Sequence, residues 1–160
     1  MEPFGPWARR SQDVHLDEID RAIIEQLQRD GRLPYTRLGA AVGLSEAAAR
    51  QRVQRLLDAG VMQIVAVTDP LSLGMRRMAM FGIKCEGDVS LVADKIAAVD
   101  DVDYLVITAG SFDILIEVVV EDDERLLELM NRVRTIPGVR GLESFIYLRL
   151  RKQTFTWGAH

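Results

Sequence analysis

Apolar positions along this chain recur first at three- and four-residue intervals and later at every second residue. Leu16, Ile19, Ile23 and Leu27 follow the helical spacing. Asp17 suits an N-cap, and Asp20 sits in the first turn, where an acid favours the positive end of the macrodipole. Gly31 stops this helix and Pro34 permits a new start. A short second helix is predicted from Tyr35 to Val42, with Leu38, Ala41 and Val42 as its apolar face. Gly43 then suits a left-handed turn, Leu44 is expected to be buried, and Ser45 reads as the N-cap of a third helix running to Ala59 before Gly60. Three helices with two tight connections, the last through a glycine turn, predict a helix-turn-helix unit.

At about 100° per residue, Ala49, Val53, Leu56 and Leu57 of the third helix share the side that must pack on the first two helices. The opposite side is centred near Gln51 and carries Ala47, Ala48, Gln54, Arg55 and Asp58, with Arg50 and Arg52 at its borders. Such a face can enter a major groove: Arg forks onto guanine, Gln onto adenine, and small residues allow close approach. Ser45, Arg50, Gln51, Arg52, Gln54 and Arg55 are therefore the candidate contacts to double-stranded DNA, with Arg52 assigned to bracing the backbone or the turn.

The period then changes. VMQIVAVTD reads as a strand, and Asp69-Pro70 with Gly74 as a connector. From Arg76, Met78, Met80, Gly82 and Lys84 alternate with Ala79, Phe81, Ile83 and Cys85. Residues 89–99 read as a helix; 104–108 and 112–120 are strands separated by Ala109-Gly110-Ser111. Residues 122–134 are a helix with acids first and arginines last, and 142–150 a final strand. The fold class is α+β: an N-terminal helix-turn-helix (winged) domain followed by a ferredoxin-like βαββαβ sandwich. The expected boundaries are 1–15 for a mobile arm, 16–62 for the helical domain, 63–75 for a strand and linker, 76–153 for the αβ domain and 154–160 for a tail. Two helices cover one face of the sheet. The other is expected to pack against a second copy, giving the two-fold symmetry that paired DNA half-sites need.

Charge sharpens this picture. The chain is acidic overall, with a net charge of −4, yet six arginines between positions 29 and 55 face only Asp30 and Glu46. An acidic protein with one basic window points to a local polyanion contact, against the alternative of a solvated basic face. No apolar run reaches the length of a bilayer span and the N-terminus lacks a signal-peptide core, so no membrane partner is expected and a cytoplasmic location is. One cysteine and two histidines argue against a zinc site within the chain; neither a metal nor a cofactor is expected.

The stretch LDEIDRAIIEQLQRDGRLPYTRLGAAVGLS, followed by RQRVQRLLDAGVM, closely resembles the N-terminal domain of the Lrp/AsnC (feast/famine) transcription regulators. AGSFDILIEVVVED and IPGVRGLESFIYLRL resemble the ligand-sensing domain of the same family, so the likeness runs from about Leu16 to Gln153. The resemblance implies a prokaryotic, nucleoid-associated regulator that pairs through its αβ sheets and assembles further to a tetramer or octamer. It also implies an amino acid or similar small molecule as effector, near the loop joining the second and third strands of the sensing domain. On this sequence that loop is Gly110-Ser111-Phe112-Asp113, where Gly110 admits backbone amides to a carboxylate and Asp113 suits an ammonium group. A tight hairpin with a capping aspartate is the other reading. Ser144 matches a hydroxyl position of the family's last strand and is a candidate for the neighbouring wall. Ala47 and Ala48 stand where many relatives carry hydroxyl residues or proline, and Gly39 where alanine is usual.

Two other classes compete. Haem-biosynthetic decarboxylases share this two-domain architecture and use histidine and arginine around a tetrapyrrole; here His15 lies in the arm and His160 is the last residue, and no catalytic constellation is present. The acidic runs at 100–103 and 121–124 could attract a hard cation, but helix capping and solvation explain them. A sequence-tolerant architectural DNA protein would use the same basic helix with no effector at all.

Overall fold

The computed structural model describes residues 15–154; the expected arm and tail fall outside them, except for His15 and Thr154. The chain divides into two compact units. Of the described residues, one unit holds 15–66 with 152–154 and the other is Val67–Arg151.

The first unit, the head, holds α1 (Glu18–Arg29), α2 (Tyr35–Val42) and α3 (Glu46–Asp58). Asp17 caps α1 in a reciprocal box: its side chain accepts from the Asp20 N–H at 2.8 Å, and the Asp20 side chain accepts from the Asp17 N–H at 3.2 Å. Gly43 takes φ +74° after α2, and the Ser45 hydroxyl accepts from the Ala48 N–H at 3.2 Å to start α3. Ile23, Leu38, Ala49, Val53 and Leu56 are fully buried, while Leu57 and Leu44 are half-buried around them. Gly39 is the pivot of the turn. A Cβ there would lie 2.6 Å from the Leu44 carbonyl oxygen, and the Leu44 N–H donates to the Gly39 carbonyl at 2.8 Å.

The second unit is a βαββαβ sandwich: β1 (Arg77–Cys85), α4 (Val89–Ala97), β2 (Val102–Ile107), β3 (Ile114–Val120), α5 (Asp123–Arg134) and β4 (Val139–Ile146). The four strands form one antiparallel sheet in the order β2-β3-β1-β4. Phe81 pairs with Ile116 on one side and Ser144 on the other, and Ile83 with Ile114 and Leu142. The face bearing Ala79, Phe81 and Ile83 is buried with Val92, Ile96, Leu126, Leu129 and Val133 from the helices.

Two strand expectations are corrected. Residues 61–69 form no strand; Ile64, Val65 and Val67 are 47%, 52% and 61% exposed, and a turn of 3-10 helix follows at Leu71–Leu73. Alternation makes a strand only where a neighbour supplies the ladder, and no strand among the described residues pairs with this segment. The head accordingly shows three helices and no strand-built wing among the described residues. The last strand begins and ends earlier than expected, because β1 starts at Arg77 and the Tyr147 N–H to the Met78 carbonyl, at 2.9 Å, is the last bond the pair can make.

Candidate nucleic-acid interface

The free face of α3 carries Glu46, Ala47, Arg50, Gln51, Gln54, Arg55 and Asp58 along one open groove. Its side chains are less free than the sequence suggests. Arg50 donates to Glu46 at 3.1 Å and lies 4.7 Å over the Tyr35 ring of α2, so a salt bridge and a cation–π contact set its direction. Gln54 donates to Asp58 at 2.7 Å. Gln51 is exposed between them.

Arg52 and Arg55 turn toward α1. One Arg52 guanidinium nitrogen donates to Asp17 at 2.6 Å and to Asp20 at 2.9 Å, and Arg55 donates to the other Asp20 oxygen. Asp20 is 1% exposed, the only buried charged side chain among the described residues, and both its carboxylate oxygens accept hydrogen bonds, from the Asp17 N–H, Arg52 and Arg55. Burial works to raise its carboxyl, but Arg55, Arg52 and the Asp17 N–H outweigh burial and hold it below the ordinary value. The Arg52 guanidinium, helped by the Asp20 N–H, lowers the Asp17 carboxyl to about 2. Sequence reasoning placed Asp20 only as a helix-end charge. Its second role depends on how α1 meets α3, and the nearest sequence signal is the three-residue spacing of Arg52 and Arg55 on one helix side.

This alters the basic window. Arg29 pairs with Glu25, Arg50 with Glu46, and Arg52 and Arg55 with acids of α1, so three of the neutralising carboxylates lie before position 29. Arg32 and Arg37 are exposed and carry no ion pair among the described residues.

In the sandwich, the loop Gly110-Ser111-Phe112-Asp113 is fastened from both ends. The Asp113 N–H donates to the Ile83 carbonyl at 2.9 Å, the Thr108 N–H to the Asp113 carbonyl at 2.9 Å, and the Thr108 hydroxyl to the Phe112 carbonyl at 2.7 Å. One Asp113 carboxylate oxygen accepts from the Cys85 N–H at 2.7 Å, leaving the other without a hydrogen bond among the described residues. Phe112 lies flat on Gly82, where a Cβ would come within 2.7 Å of the ring, and meets Phe145 edge-on at 5.9 Å between centroids. A Cβ at Gly110 would meet nothing, so that position opens outward. Ser144 is placed elsewhere. Its register opposite Phe81 puts it on the helix-covered face, and its buried hydroxyl makes no hydrogen bond, whereas Phe112 sits over Gly82 on the opposite face. The structure brings four of the five proposed effector residues together and leaves Ser144 across the sheet.

That opposite face has neither α4 nor α5 packed on it. It carries Met78 and Met80 of β1, Leu115 and Val119 of β3, and the exposed Tyr104 and Phe145, with Glu117 in its midst. Burial and a hydrogen bond to Glu117 push the Tyr147 phenol up to about 12.

Family models match both units. The AsnC-type helix-turn-helix domain matches residues 16–57, and the Lrp/AsnC ligand-binding domain matches residues 78–157. The chain belongs to the Lrp/AsnC family of transcription regulators. The HTH-type transcriptional regulator FL11 of Pyrococcus furiosus is 33% identical over 141 residues, 87% of this chain and 93% of that protein. The leucine response regulatory protein LrpA of Mycobacterium tuberculosis superposes with a TM-score of 0.79 at 29% identity, over 86% of this chain and 96% of that one. AsnC of Escherichia coli superposes with a TM-score of 0.80 at 25% identity, over 89% and 99%. This Lrp/AsnC chain is thus a DNA-binding regulator of transcription with a ligand-binding domain. Among its described residues no helix is long and apolar enough to cross a membrane, and no cluster of His, Cys, Asp or Glu could hold a metal ion.

Proposed function

We propose that the protein is a homodimeric regulator, without catalytic activity, that reads two DNA half-sites through α3 and adjusts its assembly to an amino acid bound at the 110–113 loop. The observation that carries this is the pairing of two unfilled surfaces: a glutamine- and arginine-lined face on α3, and an apolar sheet face with no cover of its own. Burying roughly 800 Å² per partner there is the scale of a stable association. The mycobacterial relative is named for a response to leucine. At the loop, the second Asp113 oxygen supplies an acceptor for an ammonium group and the open Gly110 side admits a carboxylate to backbone donors. A cytoplasmic location accompanies this reading.

Fluorescence anisotropy on a duplex selected by the protein from a random pool tests the DNA part. If a dimer neutralises about eight phosphates, log K falls with log salt at a slope near −7; a slope near zero removes DNA from the account. A thermal-shift screen of the twenty amino acids tests the ligand part. Asp113→Asn keeps an acceptor for the Cys85 N–H but removes the charge, and is expected to abolish the shift while the protein stays folded. A retained shift moves the pocket elsewhere.

A further inference from the structure

Arg55 lies at a junction. It lines the open α3 groove beside Gln51 and Gln54, and it also lines the depression that holds Asp17, Asp20 and Arg52. Its guanidinium donates one hydrogen bond inward to Asp20, and the side chain as a whole is 47% exposed. A guanidinium has five N–H donors in a rigid fork, so fastening one edge leaves the others available and aimed. Asp20 itself cannot wander: it is 1% exposed, built into the capping box of α1, and shared with Arg52. A carboxylate so held is a fixed anchor for a side chain that would otherwise sample many rotamers.

We propose that Asp20 is a positioning residue for DNA recognition. It never meets the duplex; it presets Arg55, with Arg52 as the brace beside it, so that the outward edge of the Arg55 fork meets DNA in one geometry next to Gln51. Preorganisation of this kind lowers the ordering cost of a specific contact and does little for non-specific attraction, which depends on charge alone. The cluster of Asp17, Asp20, Arg52 and Arg55 carries two charges of each sign. Removing the Asp20 charge therefore makes the head more basic while loosening its aimed arginine. Specific and non-specific binding are expected to move apart, which simple destabilisation of the head would not cause.

The proposal rests on α3 being the DNA-facing helix, and the experiment separates the two. Full-length Asp20→Asn, Arg55→Lys and Gln51→Ala proteins are each titrated against the selected duplex and against a scrambled duplex of equal length, with circular dichroism confirming the helices. Asp20→Asn is expected to weaken specific binding about tenfold, the scale of one good base or phosphate contact, while scrambled-duplex binding holds or strengthens. Arg55→Lys keeps the charge without the fork and is expected to show the same loss of ratio; it decides the matter if Asp20→Asn does not fold. A parallel fall on both duplexes, or no fall on either, overturns the proposal. If Gln51→Ala also binds as the wild type does, the assignment of α3 itself is wrong; if Gln51→Ala is defective and the other two keep the full ratio, only the role of Asp20 is lost.

Discussion

The two units of this chain are held together by different means. Fourteen apolar side chains are buried in the sandwich, and none of the buried residues there is charged; among the described residues the head buries five and adds Asp20 with its two arginines. A unit of three short helices has too little interior to fix the angle between α1 and α3 by packing alone, since small assemblies bury a smaller share of their surface. An ionic clamp supplies direction that apolar contacts lack, and the outer half of Arg55 remains exposed on the open face of α3. The sandwich has no such need, because antiparallel ladders already fix its register.

The largest expected effect breaks the sandwich. Phe81→Ala removes a fully buried ring between β3 and β4 and is expected to cost about 3–5 kcal/mol. Denaturant unfolding would read the loss, and amide exchange should place it at β1 and β3. A cost below about 1 kcal/mol would mean that packing is not what holds this unit.

The head offers a sharper test at Gly39. The family resemblance makes alanine ordinary at this position, yet a Cβ here would meet the Leu44 backbone at 2.6 Å. Gly39→Ala is expected to destabilise the head by about 1–3 kcal/mol, as overpacking does, with faster exchange of the α2 and α3 amides. A neutral result would show that the turn between α2 and α3 relaxes easily, and that the clamp rather than the turn sets the geometry of the head.

The same contrast explains what could be read from sequence. Among the described residues, the order of the five α-helices and four strands was legible because each carries its own period, and Asp17, Gly43, Ser45 and Asp122 mark helix ends locally. The segment 61–69 misled because alternation states a preference, and the partner that would satisfy it is not in the chain's own sheet. On the free face of α3, the angular arithmetic grouped Arg50, Gln51, Gln54 and Arg55 as the structure does, but it could not show that Arg50 is held by Tyr35 or Arg55 by Asp20. Those contacts cross from one helix to another, so the spacing of residues along α3 alone does not reveal them. Ser144 failed to join the loop for a similar reason: strand register, invisible in spacing along the chain, decides which face a hydroxyl takes.

The smallest expected effect concerns acid, and its sign differs between the units. Asp17 and Asp20 titrate below their ordinary value in the folded head. Their contribution is complete above the unfolded carboxylate range near pH 4, and is lost as pH falls from there through about 2, where Asp17 takes up its proton. Asp103 behaves in the opposite way. Desolvation first, then the nearby Glu117 carboxylate, raises it above its ordinary value, so the folded sandwich binds that proton more tightly; because Asp103 lies exposed, the gain in stability as pH falls through that range is small. The exposed Arg77–Asp123 pair lowers Asp123 but counts for little at a solvated surface. Amide exchange followed from pH 5 to 2.5 should therefore show α1 and α3 loosening while β2 holds. Asp17→Asn should flatten most of the head's response, Asp20→Asn a further part, and Asp103→Asn should remove the sandwich's small gain. If α1 and β2 loosen together, the ionic clamp is not what distinguishes the head, and the two units share one mode of stabilisation.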